Sequence, residues 1–473
     1  MEDRALVNTV DSTFDAGEIH RLGAAGFGRN IGFGANKVFT GAMLATLQVQ
    51  PQVIGIVLGL EGLFGLVFLP VTGWLSDRTK RPGWRRKAYL WVAFPGSALS
   101  WMAFYYAGSA TAAIWILVAF YFFQQLSVSP YLAWMPDLVG ESRRGMASGY
   151  LNLWWEVGNL VSFLVIPMMW EYLGHPFAFG FASFLILSGG LLTVLTVREP
   201  TVDQLELGWQ KAHTTRAGVD INGVAAAEAG ETAEGAKAVA DSGAKGASTA
   251  TGVGGVGASW ALLLRGDLAK FYMVQALSWV AFEAIASFFT LFIVHGVGGT
   301  VFDSAIGMSI FTITGVVTAL WFGRLYSRFS PRDSMGVMLG LFALVSLAAV
   351  PTKSLIILYI LLAVGGVLWG GIQIISYALA ADLLERQVAG EAVGTAGAQE
   401  LHGRLYAIFG IAQAVGLLVA APLAGFFIHA SGGHYGSMFW ASFLAGTVSM
   451  ALSFTIKQTP PSAFGSGAAR ASH

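Results

Sequence analysis

Apolar stretches about 20 residues long recur from near Leu22 to Ile456, parted mostly by short polar breaks, and about 20 such residues cross the roughly 30 Å hydrocarbon core of a bilayer. Of the 473 residues, 55% are hydrophobic and 11% charged, against about 25% charged in soluble domains. The chain reads as an all-α membrane protein. The windows predict helices over 22–48, 51–75, 88–107, 111–136, 147–170 and 176–197, then over 268–295, 302–325, 334–351, 354–381, 403–429 and 435–456. That is 12 transmembrane helices in two sets of six.

Basic residues set the expected orientation, because loops kept in the cytoplasm carry the excess of Lys and Arg. The knot from Asp77 to Lys87, with Arg143, Arg144, Arg198, Arg324, Arg328, Arg332, Arg386 and Lys457, falls in alternate breaks. The opposite breaks, around Pro51, Gly108, Gly174, Gly296 and Gly432, hold none, and Lys353 is the exception. Both termini are therefore expected in the cytoplasm. The first twenty residues carry Glu2, Asp3, Asp11, Asp15 and Glu18 without an apolar run, so the first membrane helix is the expected insertion signal rather than a cleaved leader.

Val219 to Ser259 is rich in Ala, Gly, Thr and Glu, and such a segment buries too little surface to offset its ordering entropy. The expected organisation is a cytoplasmic tail at 1–21, a bundle at 22–197, a cytoplasmic low-complexity linker at 198–267, a second bundle at 268–456 and a cytoplasmic tail at 457–473. Gly252, Gly254 and Gly257 spell GxGxxG inside the linker, but without the preceding strand that a dinucleotide site requires. The chain lacks cysteine, which excludes disulfides and thiol chemistry. Its net charge is zero, so nothing points to a nucleic-acid partner. No phosphate-cradling Walker A sequence is present, and His175, His295, His429 and His434 lack metal-binding spacing, reading as surface residues near outer helix ends.

The halves echo each other. Gly73-Trp74-Leu75-Ser76-Asp77-Arg78 returns as Gly323-Arg324-Leu325-Tyr326-Ser327-Arg328, and Asp137-Leu138 followed by Arg143 returns as Asp382-Leu383 followed by Arg386. At these residues the chain resembles the major facilitator superfamily, with its G-x-L-x-D-R-x-x-x-R loop between helices 2 and 3. With Leu277-Ser278-Trp279 and Tyr377 to Leu383 it is similar to the sucrose-transporter branch, related to glycoside-pentoside-hexuronide:cation symporters. The resemblance implies helices 1, 4, 7 and 10 around a central cavity. It also marks a departure, since Tyr121 stands where plant sucrose transporters carry an aspartate implicated in proton coupling, while Gln124 and Gln125 keep the amide character of their paired amides. Gly65 and Leu69 stand where melibiose-type members carry sodium-binding carboxylates.

Ionisable side chains inside a membrane are costly and mark functional positions; here they are Arg29, Lys37, Glu61, Glu156 and Glu283. Helical spacing puts Asn30, Gly34, Lys37, Gly41 and Gln48 on one stripe of helix 1, Gln275, Trp279, Glu283 and Ser287 on helix 7, and Trp369, Gln373 and Tyr377 on helix 10. The expected solute-binding residues are Asn30, Lys37, Gln124, Gln125, Trp279, Trp369 and Gln373, since amides bond hydroxyls and indole faces pack on sugar rings. Glu283, Glu156 and Glu61 are the expected proton-coupling groups, Glu283 foremost. Lys37 and Glu156 have a second reading as a structural ion pair between helices 1 and 5, and Arg29 has one as a snorkelling residue.

Asp77, Arg78, Arg85 and Arg86 match the family's cytoplasmic gate; retention of positive charge inside explains the arginines alone. Trp101, Trp115, Trp170 and Trp440 read as interfacial anchors, and Asn152, Asn159 and Gln413 as interhelical hydrogen-bond glue. The expected function is secondary transport of a sugar or glycoside with a proton. The alternatives are export or facilitated passage of another amphipathic solute, or a non-transporting sensor. No enzyme activity, cofactor or metal is expected. The expected partners are a small-molecule solute, a coupling cation (a proton before sodium) and the lipid bilayer, around a monomer in a cell membrane.

Overall fold

A computed structural model describes residues 16–79, 81, 83–139, 144–199, 264–325, 330–389 and 395–457. Lys80, Arg143, Arg328, the linker glycines Gly252, Gly254 and Gly257, and most of the expected tails and linker lie outside the described residues. Among the described residues there are twelve helices and no strand.

In the first half, α1 runs over Ala16–Ala35, a π turn at Asn36–Thr40 and Gly41–Thr46. It is followed by α2 (Pro51–Arg78), α3 (Lys87–Tyr105) and α4 (Ala110–Leu138). Helix α5 covers Arg144–Leu160, a π turn at Val161–Val165 and Ile166–Leu173, and α6 is His175–Thr196. In the second half, α7 is Gly266–Leu291 with a π turn at Phe292–Val297, followed by α8 (Val301–Leu325), α9 (Pro331–Ala349), α10 (Leu355–Ala389), α11 (Thr395–Ala430) and α12 (Met438–Ser453).

Punctuation residues set many of the ends. Pro51 and Pro331 stand in the first turns of α2 and α9, where the missing N–H is no loss. Ser109 caps α4 by accepting from the Ala112 amide at 3.3 Å. Gly298, at φ 84°, ends the π turn of α7 in the left-handed region that glycine enters freely.

The packing repeats between the halves. Helix α1 packs on α5 and α6, α3 on α4 and α6, and α2 on α4; likewise α7 packs on α11 and α12, α9 on α10 and α12, and α8 on α10. Each repeat is thus one six-helix bundle. Nine helical stretches among the described residues are long and apolar enough to cross a membrane. Polar residues interrupt α1 at its π turn, and α12 has only 16 residues.

The bundles meet chiefly through α2 and α11. A side-chain carbon at Gly59 would lie 2.9 Å from the Leu418 carbonyl and 2.9 Å from Pro422, and Gly55 and Gly62 face the α11 backbone as closely. Beside this seam Gly41 of α1 approaches Leu291 and Ser287 of α7. Toward the end that carries Arg85 and Arg86, the neighbour of Gly73 is Ser129 of its own bundle, and Val71, Trp74 and Leu75 are exposed. The described contacts therefore close the molecule at the end remote from the basic loop.

One expectation about the tryptophans is corrected. Trp101 is fully buried, stacked on Phe179 at 5.1 Å and packed by Phe104 and Phe120, so it is core and not an interfacial anchor. Trp115 and Trp440 are exposed, while Trp170 stacks on His175.

Candidate functional site

The π turn of α1 inserts an extra residue into the helical repeat, and such turns gather at functional positions. All five of its residues, Asn36 to Thr40, are buried. Lys37 Nζ lies 2.5 Å from Glu283 Oε2 on α7 and 3.4 Å from Glu61 Oε2 on α2, with side-chain exposures of 5%, 1% and 9%. Asn36 Nδ2 donates to the same Glu61 oxygen at 3.1 Å. Its Oδ1 accepts from Thr40 Oγ1 at 2.7 Å and from the Tyr121 hydroxyl of α4 at 3.1 Å. Phe33 closes one side, its ring centroid 5.0 Å from the ammonium.

Two carboxylates thus face one ammonium, Glu61 from its own bundle and Glu283 from across the boundary between the bundles, and Glu283 Oε1 has no partner. Buried charges usually need partners and hydrogen bonds to offset their desolvation. With both carboxylates ionised, this cluster holds one negative charge in excess, and the open Oε1 is where a proton would add.

Lys37, Glu61 and Glu283 are brought together, but Glu156 is not among them. It is half-buried and accepts from Asn159 Nδ2 at 3.4 Å, so in place of the alternative Lys37–Glu156 pair Lys37 meets Glu283 and Glu61. Asn30 turns back on its own helix, donating to Gly26 O at 3.0 Å. Gln125 lies beside Gly65 of α2, and Gln124 beside Gly32 of α1 with its Nε2 unpartnered. Trp279 and Trp369 meet edge-to-face at 5.2 Å, and Phe282 stacks on Trp369 at 4.5 Å. The Trp279 Nε1 and Gln373 Oε1 atoms are buried without partners. Inside the second bundle an apolar cavity is walled by Phe282, Met308, Phe311, Phe342 and Phe439. Its polar lining residue, Ser346, is bonded to Ser442 at 2.9 Å, so this space offers nothing to a polar solute.

The basic loop forms a second cluster. Arg86 Nη1 lies 2.8 Å from Asp77 Oδ1 and donates to Ser76 Oγ at 2.5 Å, while its Nε approaches Asp137 Oδ2 at 3.3 Å. Arg85 pairs with the same Asp137 oxygen. The Arg86 and Lys87 backbone amides donate to Glu199, tying the loop to α4 and to the end of α6. Burial pushes the Glu199 carboxyl up, against the lowering effect of those amide bonds. Arg78 stands apart from the carboxylates, stacked over the Trp74 ring at 4.0 Å. Among the described residues, the partners in this cluster lie in the first bundle or, for Glu199, just past the end of α6.

Asn36, Thr40, Asp137 and Glu199 are the components that sequence reasoning did not assign to a site. The i, i+4 spacing of Asn36 and Thr40 was a usable signal for the first pair; Asp137 and Glu199 carried only their positions at helix ends.

The family model described as Major Facilitator Superfamily matches residues 22–400. No curated protein matches the chain. Among solved structures, the nucleoside transporter NupG superposes with a TM-score of 0.65 at 14% identity, covering 93% of this chain and 98% of its own. A bacterial homolog of the human lysosomal transporter Spinster, in an inward-facing and unoccupied conformation, gives 0.66 at 14% identity over 94% of this chain and 98% of that one. The peptide transporter POT in complex with sulfate gives 0.64 at 14% identity over 96% and 99%. At these identities the likeness is one of fold.

Proposed function

The chain belongs to the Major Facilitator Superfamily, and from that premise we propose that it imports a sugar or glycoside by alternating access, in symport with a proton. The observation that carries this reading is the Glu61–Lys37–Glu283 cluster spanning the two bundles. A proton arriving at Glu283 Oε1 makes a neutral acid, removes the ionic tie from α7 to Lys37, and leaves the ammonium to Glu61 within the first bundle. The bundles are then free to rock; loss of the proton on the other side restores the tie. Coupling requires such a difference between the two states, since a ligand shifts an equilibrium only by its differential interaction with them.

In this reading 22–197 and 268–456 are the rocking bundles and 198–267 is their cytoplasmic tether, with both termini cytoplasmic. The amides of Gln124, Gln125 and Gln373, with Asn30 and Lys37, hydrogen-bond solute hydroxyls, and Trp279 and Trp369 pack on the apolar faces of the ring. Gating falls to Asp77, Arg78, Arg85 and Arg86 with Asp137: they brace the basic end of the first bundle in this state and would exchange partners with the second bundle when that end closes, while Arg78 packs over Trp74 of its own helix.

The test is uptake of radiolabelled mono- and disaccharides into vesicles carrying the purified chain. Accumulation should follow an imposed pH gradient and collapse with a protonophore. Accumulation indifferent to the gradient would reject proton coupling.

A further inference from the structure

Arg29 lies on α1 two turns from Lys37 toward the basic end, on the same stripe through Phe33. It is 17 residues from the far end of α1 at Thr46 and 13 from its described start at Ala16, or about 26 Å and about 20 Å along the axis. Measured from Thr46, that depth falls inside a roughly 30 Å hydrocarbon span, toward its basic end. A guanidinium there should be paired, because an uncompensated charge in low dielectric is among the costliest things a fold can hold.

Arg29 makes no ion pair or hydrogen bond among the described residues, and its Nε is buried without a partner. Glu61 is the carboxylate that feels its charge, but Glu61 is committed to Asn36 and Lys37. Glu156 is bonded to Asn159. Tyr131, the other group in its electrostatic reach, accepts from Trp155 Nε1 at 3.2 Å. Lys37 meets its counter-charge because α1 and α7 touch at that level; among the described residues the contacts of α1 with α7 gather at Asn36–Thr46, beyond Arg29.

Helices α1 and α7 run in the same direction, so the register fixed by Lys37 and Glu283 puts Gln275 and Tyr272 at the level of Arg29. Both amide atoms of Gln275 and the Tyr272 hydroxyl are buried without partners. Two bundles thus hold, at one depth, a spare cation on one side and spare neutral hydrogen-bonding groups on the other.

We propose that Arg29 is the docking point for an oxyanion, a carboxylate or phosphate, carried by the transported solute, whose neutral polar groups reach toward Gln275 and Tyr272. The inference rests on the transporter reading only in taking the gap between the bundles as the solute's path. A guanidinium presents a planar fork that matches such groups with two parallel bonds. Its solute is an acidic sugar derivative in place of a neutral sugar.

The experiment is calorimetric and thermal-shift titration of the full chain in uncharged detergent with glucose, gluconate, glucose 6-phosphate and inorganic sulfate. The wild type should bind at least one anionic probe about tenfold or more tighter than glucose, with the preference reduced by salt. Arg29→Gln should erase the preference and Arg29→Lys should keep part of it, each verified as folded by its size-exclusion profile. Anionic probes binding no better than glucose, or a preference that survives Arg29→Gln, would overturn the proposal. Arg29-dependent stabilisation by phosphatidylglycerol and by none of the soluble anions would also overturn it, assigning the residue to a lipid headgroup. Uptake separates this failure from failure of the transporter reading: pH-driven accumulation of neutral sugars without anion preference leaves the carrier standing and removes Arg29 from it.

Discussion

Replacing Lys37 by Met removes the single ammonium from between Glu61 and Glu283, whose side chains are 9% and 1% exposed. Truncating one partner of a buried ion pair costs about 3–5 kcal/mol, mostly the penalty of the charge left behind. In a bundle of this size each kcal/mol shifts Tm by about 2–4 °C, so the expected fall is about 6–20 °C. Glu283→Gln is gentler, because Lys37 keeps Glu61 at 3.4 Å. Its loss is that of one hydrogen bond to a charged group, about 1.5–3 kcal/mol. The triple variant Lys37→Met/Glu61→Gln/Glu283→Gln holds no buried charge in the cluster and should recover most of the stability lost by Lys37→Met. Thermal melts of the four proteins in one detergent read this order directly. A Lys37→Met protein as stable as Glu283→Gln, or a triple variant no better than Lys37→Met, would refute the reasoning that charge imbalance governs this cluster.

Trp101→Ala empties a fully buried site among Phe104, Phe120 and Phe179 and should cost about 3–5 kcal/mol, seen as a lowered Tm; a surface-like loss below about 1 kcal/mol would contradict its core placement. Gly62→Leu drives a side chain into the backbone of Leu418 and Ala414, so α2 and α11 should part at their closed end. In the cysteine-free chain, a cysteine replacing the buried Ser287 should then react faster with an impermeant thiol reagent, and unchanged labelling would count against that seam as the closure. Glu199 has a folded-state pKa raised by burial, so its stabilising contribution is full below the unfolded value and is lost as pH rises through the folded one. Wild type should lose stability relative to Glu199→Gln as pH rises above the ordinary carboxylate range; a constant difference in Tm would show that the carboxyl is not desolvated.

Hydropathy found the helices because the bilayer imposes its length on them, and it missed their ends for the same reason. The apolar window of helix 11 opens at 403, yet α11 begins at Thr395, since the helix continues through polar residues beyond the hydrocarbon. The π turns had no apolar signature. Lys37, Glu61 and Glu283 were each legible as costly charges in a membrane, but their pairing was not: helical spacing fixes a face of α1, while only tertiary register decides that this face meets α7, 246 residues away, and not Glu156. Tyr121 illustrates the same limit. Its sequence position marked the loss of an acid, and only the fold shows its hydroxyl joined to Glu61 through Asn36.

Glu283→Gln in proteoliposomes tests the central claim most directly. A permanently neutral side chain mimics the protonated state, so the variant should lose uphill accumulation under an imposed pH gradient while still exchanging labelled for unlabelled solute across the membrane. Gradient-driven accumulation at the wild-type level would show that the proton does not travel on Glu283.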